Sequence, residues 1–273
     1  MSRLVIFTDL DGTLLDHDTY SFAPARPALV ELRRRRVPLV LSTSKTRAEV
    51  AALRRRLKNR HPFIVENGGG VFVPRGYFDR GHPQSIELGR PYSEIVAALS
   101  DLARKSRVRV RGFHQLSARE IAEMTGLPLA DARLAQEREF DEPFWFLTSD
   151  RAARARFVRL ARRSGYGVTT GGRLWHLFSG SDKGLAVRRL SALYRRSGRI
   201  RTLALGDAAN DLSMLRAVDQ AVLLPRPDGR FDGAVLRAVP GVIRGSAPGP
   251  EGWNEAVLRA LLSRPVRGGH HRR

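Results

Sequence analysis

Cysteine is absent from the 273 residues, which excludes disulfides and thiolate metal sites. No apolar run approaches the roughly 20 residues that span a bilayer, so no membrane partner is expected. The opening Arg3-Leu4-Val5-Ile6-Phe7 starts a strand and lacks a signal-peptide layout, which points to the cytoplasm. Lysine is scarce: of 48 basic residues, only Lys45, Lys58, Lys105 and Lys183 are lysine. The formal charge is nonetheless +21, carried by arginine. Such a charge attracts nucleic acid through counterion release. The arginine runs at 33–36 and 54–56, however, fall on polar faces of expected helices and have no interleaved aromatics. A bias toward arginine accounts for the charge, and nucleic acid is not an expected partner. An RNA-binding protein on a reused enzyme fold is the rival from another class. Where lysine persists against that bias, a compact point charge is required. Lys45 and Lys183 stand in motifs; Lys58 and Lys105 sit near helix ends.

What is present is a globular composition, 42% hydrophobic, long enough for an α/β core and a smaller second domain. Residues 3–9 read as a buried strand that runs into a glycine turn. Helices are expected over 24–36 and 46–58, with strands over 38–41 and 63–65, an alternation that calls for a parallel sheet with right-handed crossovers. The pattern changes between about 84 and 170: a strand at 85–88, helices at 92–104, 117 onward, 128–138 and 151–164, and an aromatic strand at 144–147. Ser117 and Glu120 form a capping-box pair there. This stretch reads as an α+β insertion with no catalytic set of its own. The parallel pattern returns with a strand at 174–178, a helix at 183–196, a strand at 202–205, a helix at 210–217, a strand at 220–223 and a helix at 252–262. The expected organisation is a Rossmann-like parallel core over 1–82 and 173–264, an inserted α+β cap over 83–172, and a mobile tail over 265–273.

In such a sheet, ligands sit beyond the carboxyl ends of the strands. Asp9 and Asp11, Thr43, Lys183 (just after an expected strand) and Asp207 all fall at such ends. Two carboxylates at one strand end can divide the labour of phosphoryl transfer. Asp9 attacks phosphorus, and Asp11 protonates the leaving oxygen and later deprotonates water. The loose transition state spreads negative charge over the phosphoryl oxygens. A hard cation held by Asp9, Asp207 and a backbone carbonyl balances that charge, with Asp11 on the metal side of the same set. Mg2+ fits these oxygen donors. Lys183 and Thr43 add a fixed charge and a hydroxyl donor. Asp207 lies in Gly-Asp-Ala-Ala-Asn-Asp, where Asn210 and Asp211 are the supporting polar groups.

The run Asp9-Leu-Asp-Gly-Thr-Leu, with Thr43, Lys183 and Gly206-Asp207-Ala-Ala-Asn210-Asp211, resembles the four motifs of the haloacid dehalogenase (HAD) superfamily. The second aspartate resembles its phosphatases, and the insertion resembles a type IIB cap. The likeness narrows at Ser44-Lys45-Thr46-Arg47, Glu66-Asn67-Gly68-Gly69, Gly171-Gly172-Arg173, Ser181-Asp182-Lys183-Gly184 and Pro248-Gly-Pro-Glu251-Gly to mannosyl-3-phosphoglycerate phosphatases. Thr43-Ser44-Lys45 stands where the broader cap group carries Thr-Gly-Arg. The resemblance implies a small phosphorylated sugar-glycerate as substrate, the hexose being mannose or glucose. Lys45, Thr46 and Arg47 open a helix beside the phosphate site and suit the substrate's carboxylate. Glu66, Asn67 and Arg173 are candidate partners for the sugar hydroxyls. Trp175 fits core packing, and His176 a hydrogen-bonded strand position, as readily as ligand roles.

Overall fold

A computed structural model describes residues 2–78, 83–171 and 174–262. Arg173, Gly172 and the tail at 265–273 lie outside the described residues. The large sheet contains β1 (Arg3–Thr8), β2 (Leu39–Ser42), β3 (Phe63–Val65), β4 (Gly70–Phe72) and β5 (Ser85–Glu87). A second, smaller sheet contains β6 (Val110–Gly112), β7 (Asp141–Phe146), β8 (Tyr166–Gly171) and β9 (Leu174–Ser179). The chain then returns to the large sheet with β10 (Ile200–Gly206), β11 (Gln220–Leu223) and β12 (Ile243–Arg244). The strand order of the large sheet is β12-β11-β10-β1-β2-β3-β4-β5. Pairing is parallel from β12 to β3 and antiparallel for β4 and β5.

Helices cover both faces of the large sheet, as a parallel sheet with apolar strands requires. On one face pack α1 (Arg26–Arg34) and α2 (Arg47–Leu57), which bury Leu29, Leu32, Val50, Leu53 and Leu57. The insertion carries α3 (Tyr92–Ser106), α4 (Ala118–Thr125), α5 (Leu129–Ala135) and α6 (Arg151–Arg163). α3 and α6 cover one face of the small sheet around Leu99, Phe144, Phe157 and Leu177. α4 and α5 form a satellite cluster with Trp145 and Leu174. On the second face of the large sheet lie α7 (Lys183–Arg196), α8 (Leu212–Leu215) and α9 (Gly233–Ala238). The last helix, α10 (Gly249–Leu262), returns to the α1 side, where Trp253 is fully buried and its Nε1 donates to Thr8 Oγ1 at 2.9 Å.

Two strands change sheets relative to the sequence expectation. Ser85–Glu87, expected to open the insertion, pairs with β4 as an edge of the large sheet. Leu174–Ser179, expected as a core strand, lies between β7 and β8 in the small sheet. Both are short strands whose apolar pattern suits either partner, so only tertiary pairing decides the assignment. The parallel chain order survives this exchange. β1 lies between β2 and β10, and the connections leave it in opposite directions. That reversal creates a crevice at the carboxyl end of β1, where Asp9 follows.

Candidate active site

Asp9 is buried immediately after β1, and its N–H donates to Leu205 O of the neighbouring β10 at 3.0 Å. β10 ends beside it and delivers Asp207 and Asp211. The loop after β1 turns at Gly12, where φ is +74°. A Cβ at this position would lie 3.0 Å from Asp207 Oδ2, so glycine answers both the left-handed backbone and the close carboxylate. Thr13 Oγ1 donates to the other oxygen of Asp207 at 3.2 Å.

Lys183 reaches this group from an unexpected direction. It is the first residue of α7 and follows a strand of the small sheet, not a strand of the core. Its side chain is buried, and Nζ donates at 2.7 Å to both Asp9 Oδ1 and Asp211 Oδ1. Burial opposes the charge of Lys183, but Asp211 and Asp9 overcome it and raise the ammonium's pKa above its ordinary value. Asp211 is fully buried too, and its Oδ2 accepts the N–H groups of Asp207 at 3.1 Å and Ala208 at 3.4 Å.

Asp9, Asp207 and Asp211 form an acidic cluster with ligand oxygens within 4.8 Å of one another. Burial pushes the Asp9 carboxyl well up, and the charges of Asp211, Asp207 and Asp11 add to that push against Lys183. Burial and then Asp211 likewise raise Asp207 to about 7. Three carboxylates compressed around one ammonium are short of positive charge. Hard oxygen donors in that state fit a divalent cation. The sequence places Asp11 on the metal side and Asp211 in support; in the structure the oxygens of Asp211, and not those of Asp11, lie within the cluster of Asp9 and Asp207. Asp11 Oδ2 lies 3.1 Å from Lys45 Nζ and outside the cluster. Asp11 Oδ1 and Asn210 Oδ1 are enclosed without a hydrogen-bond partner.

Thr43 is fully buried at the end of β2, and its Oγ1 accepts the Lys45 N–H at 3.2 Å. Lys45 also lies 3.8 Å from Glu49 Oε1 and over the ring of Tyr20. Thr46 and Arg47 make contacts to the cap. Thr46 caps α2 in a reciprocal box with Glu49, and its hydroxyl donates to Leu134 O of the cap at 2.8 Å. Arg47 lies across the ring of Phe72, 4.0 Å from Glu139 of the cap. Glu66 and Asn67 meet the cap as well. Glu66 accepts the N–H of Phe140 at 2.7 Å and that of Glu139 at 3.0 Å, while Asn67 Nδ2 donates to Asp141 Oδ2 at 2.7 Å. His176 takes the strand role, buried with Nδ1 2.8 Å from Asp141 Oδ1. Trp175 packs edge-on to Phe146 and also lines a cavity of about 990 Å3 between cap and core. Asn67, Lys183 and Asn210 line the same cavity, so the space adjoins the acidic cluster.

Burial pushes the Glu66 carboxyl up to about 8, against the opposing pull of Arg138 and the two amides. The folded protein therefore binds this proton more tightly than the unfolded chain does. The stabilisation is complete below the ordinary value of 4.5 and is lost as pH rises through about 8. Glu66→Gln removes the titration. Melting temperatures of the two proteins should converge or cross between about pH 5 and 8, with wild type losing ground as pH rises. A constant difference across that range contradicts the assignment.

A model of haloacid dehalogenase-like hydrolases matches residues 6–103. A glucosyl-3-phosphoglycerate/mannosyl-3-phosphoglycerate phosphatase of Methanococcoides burtonii is 42% identical over 263 residues, covering 93% of this chain and 96% of that protein. The chain belongs to the mannosyl-3-phosphoglycerate phosphatase family of HAD hydrolases. A mannosyl-3-phosphoglycerate phosphatase of Pyrococcus furiosus is 36% identical, over 81% of this chain and 90% of that protein. Among solved structures, a Thermoplasma acidophilum protein superposes with a TM-score of 0.69 at 20% identity, covering 96% of this chain and all of that one. A sugar phosphatase of HAD subclass IIB gives 0.66 at 17% identity, over 94% and 98% of the two chains. These two likenesses establish the family's fold for the whole chain. No helix among the described residues is long and apolar enough to cross a membrane.

Proposed function

We propose that the chain hydrolyses mannosyl-3-phosphoglycerate to mannosylglycerate and phosphate through an aspartyl-phosphate. The observation that carries this reading is Asp9, buried at the crevice and held by Lys183, with Asp11 two residues on. An oxygen of Asp9 attacks phosphorus as the bond from phosphorus to the glycerate oxygen breaks. Asp11 gives a proton to that leaving oxygen, then takes one from the water that cleaves the acyl phosphate. Its Oδ1 has no hydrogen-bond partner within the protein. Thr43 and Lys183 fix the site around the phosphoryl oxygens, and Lys45 supplies a third cationic or donor group. Asp9 and Asp207 would hold Mg2+, with Asp211 behind them. When bound, the ion neutralises charge on the phosphoryl oxygens.

The family relatives extend the substrate class to the glucosyl compound, which differs by one hydroxyl orientation. Steady-state kinetics on synthetic mannosyl- and glucosyl-3-phosphoglycerate beside simple sugar phosphates test the assignment. The expected result is kcat/KM at least about tenfold higher for the glycerate-bearing substrates, since unpaired polar groups in a fitted site penalise analogues that lack their partner. Equal values on all of them remove the narrow assignment and leave the reaction class.

A further inference from the structure

One segment of the cap, the stretch from Leu134 to Asp141, meets the loops that follow β2 and β3. Phe140 from this segment is 4% exposed and joins the core cluster with Val65 and Phe72. Glycines make the room. A Cβ on Gly69, Gly70 or Gly89 would come within 2.3, 2.8 or 2.9 Å of Phe140. The amides of Glu139 and Phe140 are spent on Glu66, and Asp141 is tied to Asn67. The insertion is thus anchored in the core at a fixed point beside the loops that follow β2 and β3.

Arg138 stands at the centre of this anchor, and its environment asks for an explanation. Its side chain is only 5% exposed, yet its nearest carboxylate contact is a long one, 3.4 Å from Nη1 to Asp141 Oδ1. A buried guanidinium costs free energy unless its donors are used. Nε donates to Ala135 O at 3.0 Å within the segment. Nη1 crosses into the core and donates to Ser44 O at 2.8 Å. Ser44 is the residue between Thr43 and Lys45. Fixing its carbonyl fixes the peptide that carries Lys45, whose Nζ rests 3.1 Å from Asp11. The Thr46 hydroxyl, bonded to Leu134 O, closes a second tie on the same loop.

We propose that Arg138 is a positioning residue for the reaction: seated by the cap, it clamps the Ser44 carbonyl and thereby holds Lys45 against Asp11. This rests on the phosphatase reading above. The cap then contributes to catalysis as well as covering the site, because the catalytic loop is complete only while the anchor is seated.

The test is a double-mutant cycle with Lys45, read in kcat and KM on mannosyl-3-phosphoglycerate with magnesium. Arg138→Met keeps the length and apolar stem and removes the donors. The expected result is a fall in kcat of up to about 10²-fold, the scale of a small misplacement at a reacting group, with KM little changed. In the Lys45→Met background the same replacement should cost less than about threefold, because the group it positions is gone. Arg138→Lys, which keeps charge and one donor, should recover part of the loss. Equal losses in both backgrounds overturn the proposal, as does a rise in KM at unchanged kcat, which would make Arg138 a substrate ligand. Unchanged kinetics in Arg138→Met also overturn it. If Arg138→Met does not fold, Arg138→Lys is carried through the same cycle: a kcat loss that shrinks in the Lys45→Met background supports the clamp, and a loss of equal size there rejects it. Wild-type turnover in the same assay keeps this outcome separate from the function itself; its absence sinks the phosphatase reading instead.

Discussion

Replacing Asp9 by Asn is expected to reduce turnover by at least about 10⁴-fold while the protein remains folded, because the attacking carboxylate is lost. The substitution is close to isosteric. Asp9 Oδ1 accepts from Lys183, and the amide oxygen of Asn can keep that bond. Lys183 also retains Asp211 at 2.7 Å, so the buried ammonium is not left alone. Loss of a like charge even relieves the compression that burial and Asp211 impose on Asp9. The melting temperature should therefore hold or rise as activity disappears. Activity and thermal melting measured together separate a nucleophile from a structural carboxylate. Retained activity with magnesium rejects the nucleophile, and equal loss of activity and stability reduces Asp9 to a structural part. Trapping the acyl phosphate by acid quench should give a labelled wild-type chain and an unlabelled variant.

The gathering of Asp9, Thr43 and Asp207 at one sheet edge is legible in the sequence because these residues are tied to strand ends. Asp9, Thr43 and Asp207 each follow an apolar strand, so the parallel topology gathers them whatever the details of the loops. Lys183 reaches the same edge by a route the sequence does not show. The scarcity of lysine and the Ser181-Asp182-Lys183-Gly184 motif mark it, but the strand before it belongs to the small sheet. What brings Lys183 to Asp9 is the packing of α7 beneath the core, where Val187, Leu190 and Tyr194 are buried. The place of Asp211 beside Asp9 and Asp207 is hidden in the same way, since a supporting aspartate and a cluster member look alike in sequence. Glu66 and Asn67 are expected from the sequence to face the sugar; their hydrogen bonds to the cap are not legible there, because the partners lie about 74 residues further along the chain. Arg138 carried no signal, being one arginine in an arginine-rich chain. Its importance comes only from burial and from the carbonyl it reaches, both properties of the folded seam.

Removal of divalent cations should silence the enzyme, with turnover restored by adding Mg2+. The argument begins with the protein's own charges. Asp9, Asp207 and Asp211 place three carboxylates within 4.8 Å, against the single ammonium of Lys183. Burial and Asp211 hold Asp207 up to about 7, so at neutral pH much of the cation-free protein keeps a proton there. A cation competes with that proton, and binding should tighten as pH rises through about 7. It should also raise the melting temperature, because ligation of the folded state alone adds stability by mass action. Asp207→Asn lowers the charge of the cluster and removes one hard donor. The variant should need at least about tenfold more Mg2+ for half-maximal activity, the scale of losing one ligand-side interaction. Its melting temperature without cation should exceed that of wild type, since one buried repulsion has gone. Titrating Mg2+ into both proteins by calorimetry at pH 6 and pH 8 checks both expectations. An Mg2+ affinity equal at the two pH values, or unaffected by Asp207→Asn, would place the cation outside this cluster.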